Sequence, residues 1–105
     1  MKTTEGNNRM IAEFMGASGF DMLGEKVEPK YHTSWDWLMP VVEKIESIKN
    51  EHGFTYSVRM SGKFCTVESV NYSMIDMQLK GAGNTKLQAT YQAVVQFIEW
   101  YNKQK

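Results

Sequence analysis

The chain has 105 residues, with 12 basic and 12 acidic side chains that give a formal net charge of zero at pH 7. This length predicts a single domain, residues 1–105, and the neutral charge excludes a general attraction to duplex nucleic acid or to an acidic membrane. The one cysteine, Cys65, excludes an internal disulfide and fits a reducing compartment. Because the N-terminus is polar and no apolar run reaches about 20 residues, we expect neither a signal peptide nor a membrane span, and therefore an intracellular protein.

The first third of the chain predicts a short helix followed by a loop. Residues 1–7 are polar, so we expect them to be frayed. A helix capped by Asn7 or Asn8 and ended by Gly16 is expected next, because apolar side chains recur there at helical spacing. These side chains are Met10, Ile11, Phe14 and Met15. Residues 17–32 contain two glycines and a proline without a regular hydrophobic period, which predicts a loop.

Residues 31–48 hold two of the three tryptophans and predict the second helix. Thr33, followed three residues later by Asp36, has the form of a capping box, so the helix is expected to start near Ser34. Pro40 either kinks this helix or lies near the start of its main part, with the first turn as a separate piece. Gly53 is expected to end the helix. The core-facing stripe is Leu38, Val41, Val42, Ile45 and Ile48.

After Gly53 the hydrophobic period changes to two, which predicts strands. Residues 54–61, 63–68 and 72–80 are joined by short connections that favour an antiparallel meander, with a tight Ser61-Gly62 turn. One face of this sheet is largely polar. We therefore expect helices on one face only, unless another subunit covers the second face.

The last helix follows residues 81–84 and starts with a second capping-box pattern, formed by Thr85 and Gln88. Phe97 and Trp100 lie off the core-facing stripe and predict an interface, between subunits or with another protein. The complete prediction is an α+β fold in the order α-α-β-β-β-α: a three-stranded antiparallel meander with two long helices packed on it and a short N-terminal helix. The stripe of the last helix is Leu87, Tyr91, Val94, Val95, Ile98 and Tyr101.

Three aromatic residues around the start of the second helix, Tyr31, Trp35 and Trp37, are candidates for stacking on a base or a similar ring. Trp35 and Trp37 are two positions apart and do not share a face of the helix, so one of them is the better candidate for exposure. The alternative is that these side chains belong to the core and fix the start of the helix.

A phosphate group is better placed at the last helix than at the second one. Asp36 puts a carboxylate in the first turn of the second helix and repels an anion. The turn before the last helix has no acid and offers amides, a hydroxyl and an ammonium group from Asn84, Thr85 and Lys86. It lacks the Walker A pattern, and a plain strand-to-helix connection is the alternative. The further cations, which form either a basic patch or separate solvated charges, are Arg59, Lys63 and Lys80.

Catalysis has little support in the sequence. His32, His52 and Cys65 have neither zinc-ligand spacing nor a nucleophile signature. A cysteine in a predicted strand is explained by burial. We therefore predict no enzymatic activity, no metal site and no cofactor.

Two blocks of the chain resemble a family of small bacteriophage and prophage proteins, the phage alpha-beta-alpha sandwich type. The resemblance rests on YHTSWDWLMPVVEKI at residues 31–45 and ATYQAVVQFIEWYN at residues 89–102, with a weaker echo at residues 8–16. The family name implies helices on both sides of the sheet. An oligomer would reconcile this with the single covered face that the strand pattern predicts.

Through this resemblance the chain is expected to be a phage accessory protein in the host cytoplasm. Small phage proteins that oligomerise without catalytic residues include inhibitors of host defence, some of which sequester nucleotide signals. The first hypothesis is a homo-oligomeric, non-enzymatic sponge for a cyclic oligonucleotide-type signal, bound between subunits by the stacking and phosphate candidates above. The alternative is a protein–protein adaptor or inhibitor that acts through Phe97, Trp100 and the C-terminal helix.

Overall fold

A computed structural model of the chain describes residues 4–16, 29–50, 53–71 and 74–104. Within them the strands form one antiparallel sheet in the order β1-β2-β3, and the order of elements is α-α-β-β-β-α, so the predicted α+β fold is confirmed. Residues 17–28 of the predicted loop and residues 72–73 of the predicted third strand lie outside the described residues. The bounds of the elements are α1 Thr4–Phe14, α2 Trp35–Ser47, β1 Ser57–Ser61, β2 Phe64–Asn71, β3 Met74–Ala82 and α3 Lys86–Lys103.

The turn between β1 and β2 is formed by Gly62 and Lys63, one position later than predicted. Ser61 pairs with Phe64 across this turn. Gly62 has φ +57°, in the left-handed region that only glycine adopts without strain. The position of Gly62 therefore sets the register of the hairpin.

The two faces of the sheet have different surroundings. On β2, Cys65, Val67 and Ser69 are buried against the helices, whereas Phe64 and Thr66 lie on the opposite face. This alternation follows from the two-residue period of a strand. In the described part of the chain only the first face carries helices, as predicted, and we call the second one the open face.

α1 begins earlier than the sequence indicates. It starts at Thr4, so residues 4–7, which were expected to be frayed, are helical, and Asn8 is a buried interior residue rather than a cap. The end of α1 is tied to α2 because Lys44 Nζ donates a hydrogen bond to the carbonyl oxygen of Phe14 and lies 4.8 Å from the centre of its ring.

α2 follows Ser34 as its N-cap without a side-chain capping bond, so the predicted Thr33–Asp36 capping box is wrong. Pro40 lies inside one continuous helix. The helix ends at Ser47, well before Gly53, because the chain turns back on itself here. Lys49 forms a β-bridge with Thr55, and the side-chain oxygen of Asn50 accepts a hydrogen bond from the backbone N–H of Phe54. Both interactions take the place of the hydrogen bonds that would extend the helix.

The predicted N-cap of α3, Thr85, is confirmed, whereas Gln88 bonds the residue before the cap instead of the cap itself. Thr85 Oγ1 accepts a hydrogen bond from the backbone N–H of Gln88 at 3.0 Å, and Gln88 Oε1 accepts one from the backbone N–H of Asn84 at 2.6 Å. Both amides are therefore satisfied within the protein.

Phe97 occupies the core, and its predicted place off the helix stripe is wrong. The side chain is fully buried. Its ring centre lies 5.0 Å from that of Tyr56 and 6.5 Å from that of Phe14. Tyr56, just before β1, and Phe14, at the end of α1, thus cover the side of α3 on which Phe97 lies. Because its side chain is fully buried, Phe97 offers no surface to a second protein.

Gly81 marks the closest approach of the sheet to α3. A Cβ at this position would lie 2.4 Å from the carbonyl oxygen of Ala89 and 2.5 Å from the backbone nitrogen of Ala93. These are helix backbone atoms, so no rotamer change relieves the overlap. The packing of α3 on β2 and β3 therefore depends on the absence of a side chain at Gly81.

Gly81→Ala is expected to lower the free energy of unfolding by about 3 kcal/mol, the upper part of the range for overpacked cores, because α3 must shift away from the sheet. Gly83→Ala is the comparison, because its Cβ would lie 2.7–2.8 Å from side-chain atoms of Gln88 rather than from helix backbone, and a smaller loss through the cap of α3 is expected. Urea unfolding followed by circular dichroism gives both values. Equal effects of the two substitutions would contradict this account of the packing.

Candidate functional site

A pocket of about 300 Å³ opens between the C-terminal end of α3, the segment after α2 and the helix-facing side of β2. We call it the C-terminal pocket. It combines aromatic, amide, hydroxyl and ammonium groups. Its lining residues are Lys49, Asn50, Tyr56, Ser69, Trp100, Tyr101 and Gln104.

Two local features position the polar side of the C-terminal pocket. The bridge between Lys49 and Thr55 holds the segment after α2 in an extended conformation. Asn50 then closes a small turn, in which its backbone N–H donates to the carbonyl of Phe54 at 2.8 Å and its side-chain oxygen accepts from the Phe54 N–H at 3.0 Å. The early end of α2 is therefore what brings Lys49 and Asn50 to the pocket.

The aromatic side of the C-terminal pocket is supported by the core. Tyr56 and Trp100 meet edge to face, with ring centres 6.0 Å apart at 75°. Tyr101 stacks on the fully buried Phe97 at 5.8 Å and 15°. Phe97 is fully buried and packs against the rings of Trp100 and Tyr101. This packing stabilises the positions of the two half-buried rings that line the pocket.

Ser69 provides an unsatisfied polar group in the C-terminal pocket. The residue is 1 % exposed, and its Oγ has no hydrogen-bond partner among the described residues. It lies at an irregularity in the pairing of β2 with β3, between Ser69 and Val70. A buried hydroxyl without a partner costs about 1–3 kcal/mol, so this oxygen would gain a partner from a bound molecule once a small shift of the pocket wall exposes it.

The charge of the C-terminal pocket favours an anion. Lys49 is exposed and is the one charged side chain among the lining residues that the structure describes. Asn50 and Gln104 add amide groups that donate or accept hydrogen bonds. A planar ring with a polar edge and an anionic substituent matches this set of groups.

A larger pocket of about 520 Å³ lies between α1, the end of α2 and α3. Its ammonium group, from Lys44, is already engaged with the carbonyl and the ring of Phe14. No buried polar atom without a partner lines it among the described residues. The C-terminal pocket is therefore the better candidate despite its smaller volume.

The aromatic candidates at the start of α2 are mostly structural. Tyr31 is 4 % exposed and meets Trp37 edge to face at 5.3 Å and 90°. Trp35 and Trp37 are half-buried against the core. In this conformation Tyr31 has no free ring face on which a base could stack.

The phosphate candidates lie apart from those rings. Asn84, Thr85 and Lys86 are exposed at the start of α3, and Arg59 is exposed on the open face of the sheet. No hydrogen bond or ring contact between described residues joins them to the tryptophans of α2. No direct contact between described residues therefore links the predicted stacking and phosphate groups, and those assignments stay predictions.

Trp100, predicted as an interface residue, lines the C-terminal pocket instead of projecting from a free helix face. The other residues that line this pocket were not predicted as ligand-binding residues from the sequence. The available signal was Ser69, which continues the inward positions of Cys65 and Val67 along β2 and is the polar member of that series. A polar residue at a buried strand position indicates either an internal partner or a ligand.

A hydrogen-bond network centred on the buried Asn8 was also missed. Its Nδ2 donates to the carbonyl of Pro29 at 3.2 Å and to Nδ1 of His32 at 2.9 Å, and its Oδ1 accepts from the hydroxyl of Tyr91 at 2.9 Å. Because the Pro29 carbonyl only accepts, Nδ2 is the Asn8 atom that donates, and Oδ1 is left to accept from Tyr91. Asn8 thus joins α1, the segment before α2 and α3, which explains an asparagine inside a helix.

Cys65 is a buried structural thiol. It is 1 % exposed, and burial raises the pKa of its thiol while a hydrogen bond with Thr90 lowers the pKa by less. The thiol therefore stays protonated and unreactive at neutral pH. Among the residues that the structure describes, no group of three or more His, Cys, Asp and Glu side chains is arranged to hold a metal ion. The described helices include none with the length and apolar character to cross a membrane.

Comparisons of the chain with models of protein families, with curated proteins and with solved structures found no significant match. The resemblance to the phage family therefore stays a prediction. Function has to be argued from the groups that line the C-terminal pocket.

Stability is expected to fall as pH rises above about 9, because burial raises the pKa of Cys65, Tyr31 and Tyr91 from ordinary values of 9.0 for cysteine and 10.0 for tyrosine. The unfolded chain loses these protons first and so binds fewer of them than the folded chain, which makes the free energy of unfolding decrease with pH. Urea unfolding between roughly pH 8 and pH 11 measures the slope. Cys65→Ala should make the decline above pH 9 shallower, and an increase of stability in this range would contradict the burial of these groups.

Proposed function

We propose that the protein is a non-enzymatic phage accessory protein that binds and sequesters a nucleotide signal of host defence in its C-terminal pocket. The observation that carries this proposal is the buried hydroxyl of Ser69, which has no partner among the described residues and lies beside the rings of Tyr56, Trp100 and Tyr101. A nucleobase combines a flat apolar face with a polar edge. It would place its face on an aromatic wall and its edge against Ser69 and the neighbouring amides.

In this proposal the ammonium group of Lys49 binds the phosphate. Its ammonium lies at the exposed rim of the pocket, so a phosphate bound there would stay partly hydrated while the base enters the interior. A single lysine gives modest affinity through charge alone. The proposal therefore assigns recognition to the ring and its edge, with the phosphate as a secondary contact.

The volume of the pocket limits the ligand. About 300 Å³ lies at the lower end of the range for small-molecule sites, roughly 300–1,000 Å³. One nucleoside unit fits this size, whereas a whole cyclic oligonucleotide does not. A cyclic signal with two or more bases would be shared between pockets of different chains, which agrees with the predicted homo-oligomer.

The adaptor alternative has less support. It relies on Phe97 and Trp100 as an exposed pair on α3, but Phe97 is fully buried and Trp100 lines the pocket. The remaining exposed large apolar side chains of the described residues, Met39 and Phe64, lie on α2 and β2. No feature of the C-terminal helix specifically favours a protein partner.

Calorimetric titration with a panel of mononucleotides, cyclic mononucleotides and cyclic di- and trinucleotides is expected to show binding of at least one member, with one base bound per chain. Trp100→Ala should weaken it roughly five- to 150-fold, because stacking of a base on an aromatic ring contributes about 1–3 kcal/mol. Met39→Ala, which truncates an exposed apolar side chain on α2 outside the pocket, is the control and should leave this binding unchanged. The absence of heat with every member of the panel would refute the proposal.

Ser69→Ala separates a ligand-binding role from a packing role. Removal of the unpartnered hydroxyl is expected to raise the free energy of unfolding of the free protein by roughly 1 kcal/mol and to weaken nucleotide binding by up to about tenfold. Ser61→Ala makes the same chemical change on an exposed strand position and should alter neither quantity. A large loss of stability in Ser69→Ala would show that the hydroxyl has an internal partner and would remove the main support for the pocket.

A further inference from the structure

The open face of the sheet carries an arginine that is held in place by a buried carboxylate. Glu68 has a side chain only 7 % exposed, although it lies on the face without helices. Its Oε1 lies 3.3 Å from Nε of Arg59, and its Oε2 accepts a hydrogen bond from Nε2 of Gln78 at 3.0 Å. The carboxylate is thus fixed from β3 and in turn orients the guanidinium on β1.

The oriented Arg59 remains available to a partner. Its side chain is 74 % exposed, and the ion pair engages Nε. No hydrogen bond of the described residues occupies the two Nη groups. A planar fork in this position matches the oxygens of a phosphate.

A row of residues crosses the sheet at Arg59. The strand register pairs Arg59 with Thr66 and Thr66 with Lys80, so the row presents a guanidinium, a hydroxyl and an ammonium. Arg59 and Lys80 lie on the outer strands, about 10 Å apart at the backbone, which is two interstrand spacings. Lys63, exposed in the β1–β2 turn, adds a third cation near the same end of the sheet.

The next row presents an uncovered aromatic ring. Phe64 is 55 % exposed, and the residues that pair with it are small, Ser61 on β1 and Ala82 on β3. Small neighbours on both sides leave the face of the ring open. Phe64 lies two residues from Thr66 along β2, so the ring and the cationic row are about 7 Å apart, on the scale of one nucleotide.

We propose that this open face binds single-stranded nucleic acid, with one base stacked on Phe64 and the adjoining phosphates on Arg59 and Lys80. Among the side chains that the structure describes, three cations and one carboxylate, whose charge Arg59 already meets, give the patch a net positive charge that complements a phosphate chain. An open ring selects an unpaired base, because the bases of a duplex are stacked on one another. The site lies on the face of the sheet opposite the C-terminal pocket and does not depend on the function proposed for that pocket.

The test is fluorescence anisotropy of labelled oligothymidylate and oligouridylate with the full chain, against a duplex of matched length and a labelled polyglutamate. Binding to the single strands is expected, weak and dependent on salt, with a slope of log K against log salt of about −1.4 for the two phosphate contacts of Arg59 and Lys80. Tighter binding of the duplex, equal binding of polyglutamate, or no binding at low salt would overturn the proposal. Equal binding of polyglutamate would assign the patch to acidic proteins.

Variants locate the contact. Phe64→Ala is expected to weaken single-strand binding at least fivefold, and Phe64→Leu by a similar factor, because an aliphatic side chain does not stack. Arg59→Gln should weaken binding and reduce the salt slope by about 0.7. Lys103→Gln, an exposed cation on α3, and Ser69→Ala, in the C-terminal pocket, are controls expected to change neither quantity beyond the general charge effect. Full binding by Phe64→Ala, or a specific loss in Ser69→Ala, would place the nucleic acid elsewhere and overturn the proposal.

Discussion

The close contact between Gly81 and the backbone of α3 determines which face of the sheet the helix covers and which face stays exposed. With no side chain on Gly81, α3 lies directly on β2 and β3 and covers one face of the sheet. The rings at its C-terminal end then form a wall beside Ser69, while the second face keeps its exposed charges. An aromatic pocket on the helix side and an exposed cationic surface on the open face are thus two results of one packing contact.

Local periodicity allows much of the fold to be predicted. The stripe of α2 and the N-cap of α3 at Thr85 depend on neighbours three or four residues away, and both are present in the structure. The end of α2 is different. It depends on competition between helical bonds and the Lys49–Thr55 bridge, and a glycine such as Gly53 marks only one of the ways in which a helix can stop.

The candidate sites could be predicted only in part, because they depend on contacts between distant residues. The C-terminal pocket draws on the segment after α2, β2 and α3, and its aromatic wall needs Phe97 behind it. Helical spacing alone places Phe97 outside the stripe, since the pattern contains no information about α1 or Tyr56. Arg59 was recognisable as a candidate cation, yet its orientation by Glu68 and Gln78 follows from strand register, which a single residue type does not reveal.

The Asn8 network also has a consequence for the order of folding. The hydrogen bond between Asn8 and Tyr91 joins residues 83 positions apart, whereas the hairpins of the sheet and the β3–α3 connection are local. Contacts between distant residues form late because a long loop must close first. During synthesis α1 leaves the ribosome first and can meet Lys44 and the segment before α2, but its hydrogen bond with Tyr91 has to wait until α3 follows. We therefore expect the contact of α1 with α3 to form after the local hairpins of the sheet and the β3–α3 connection.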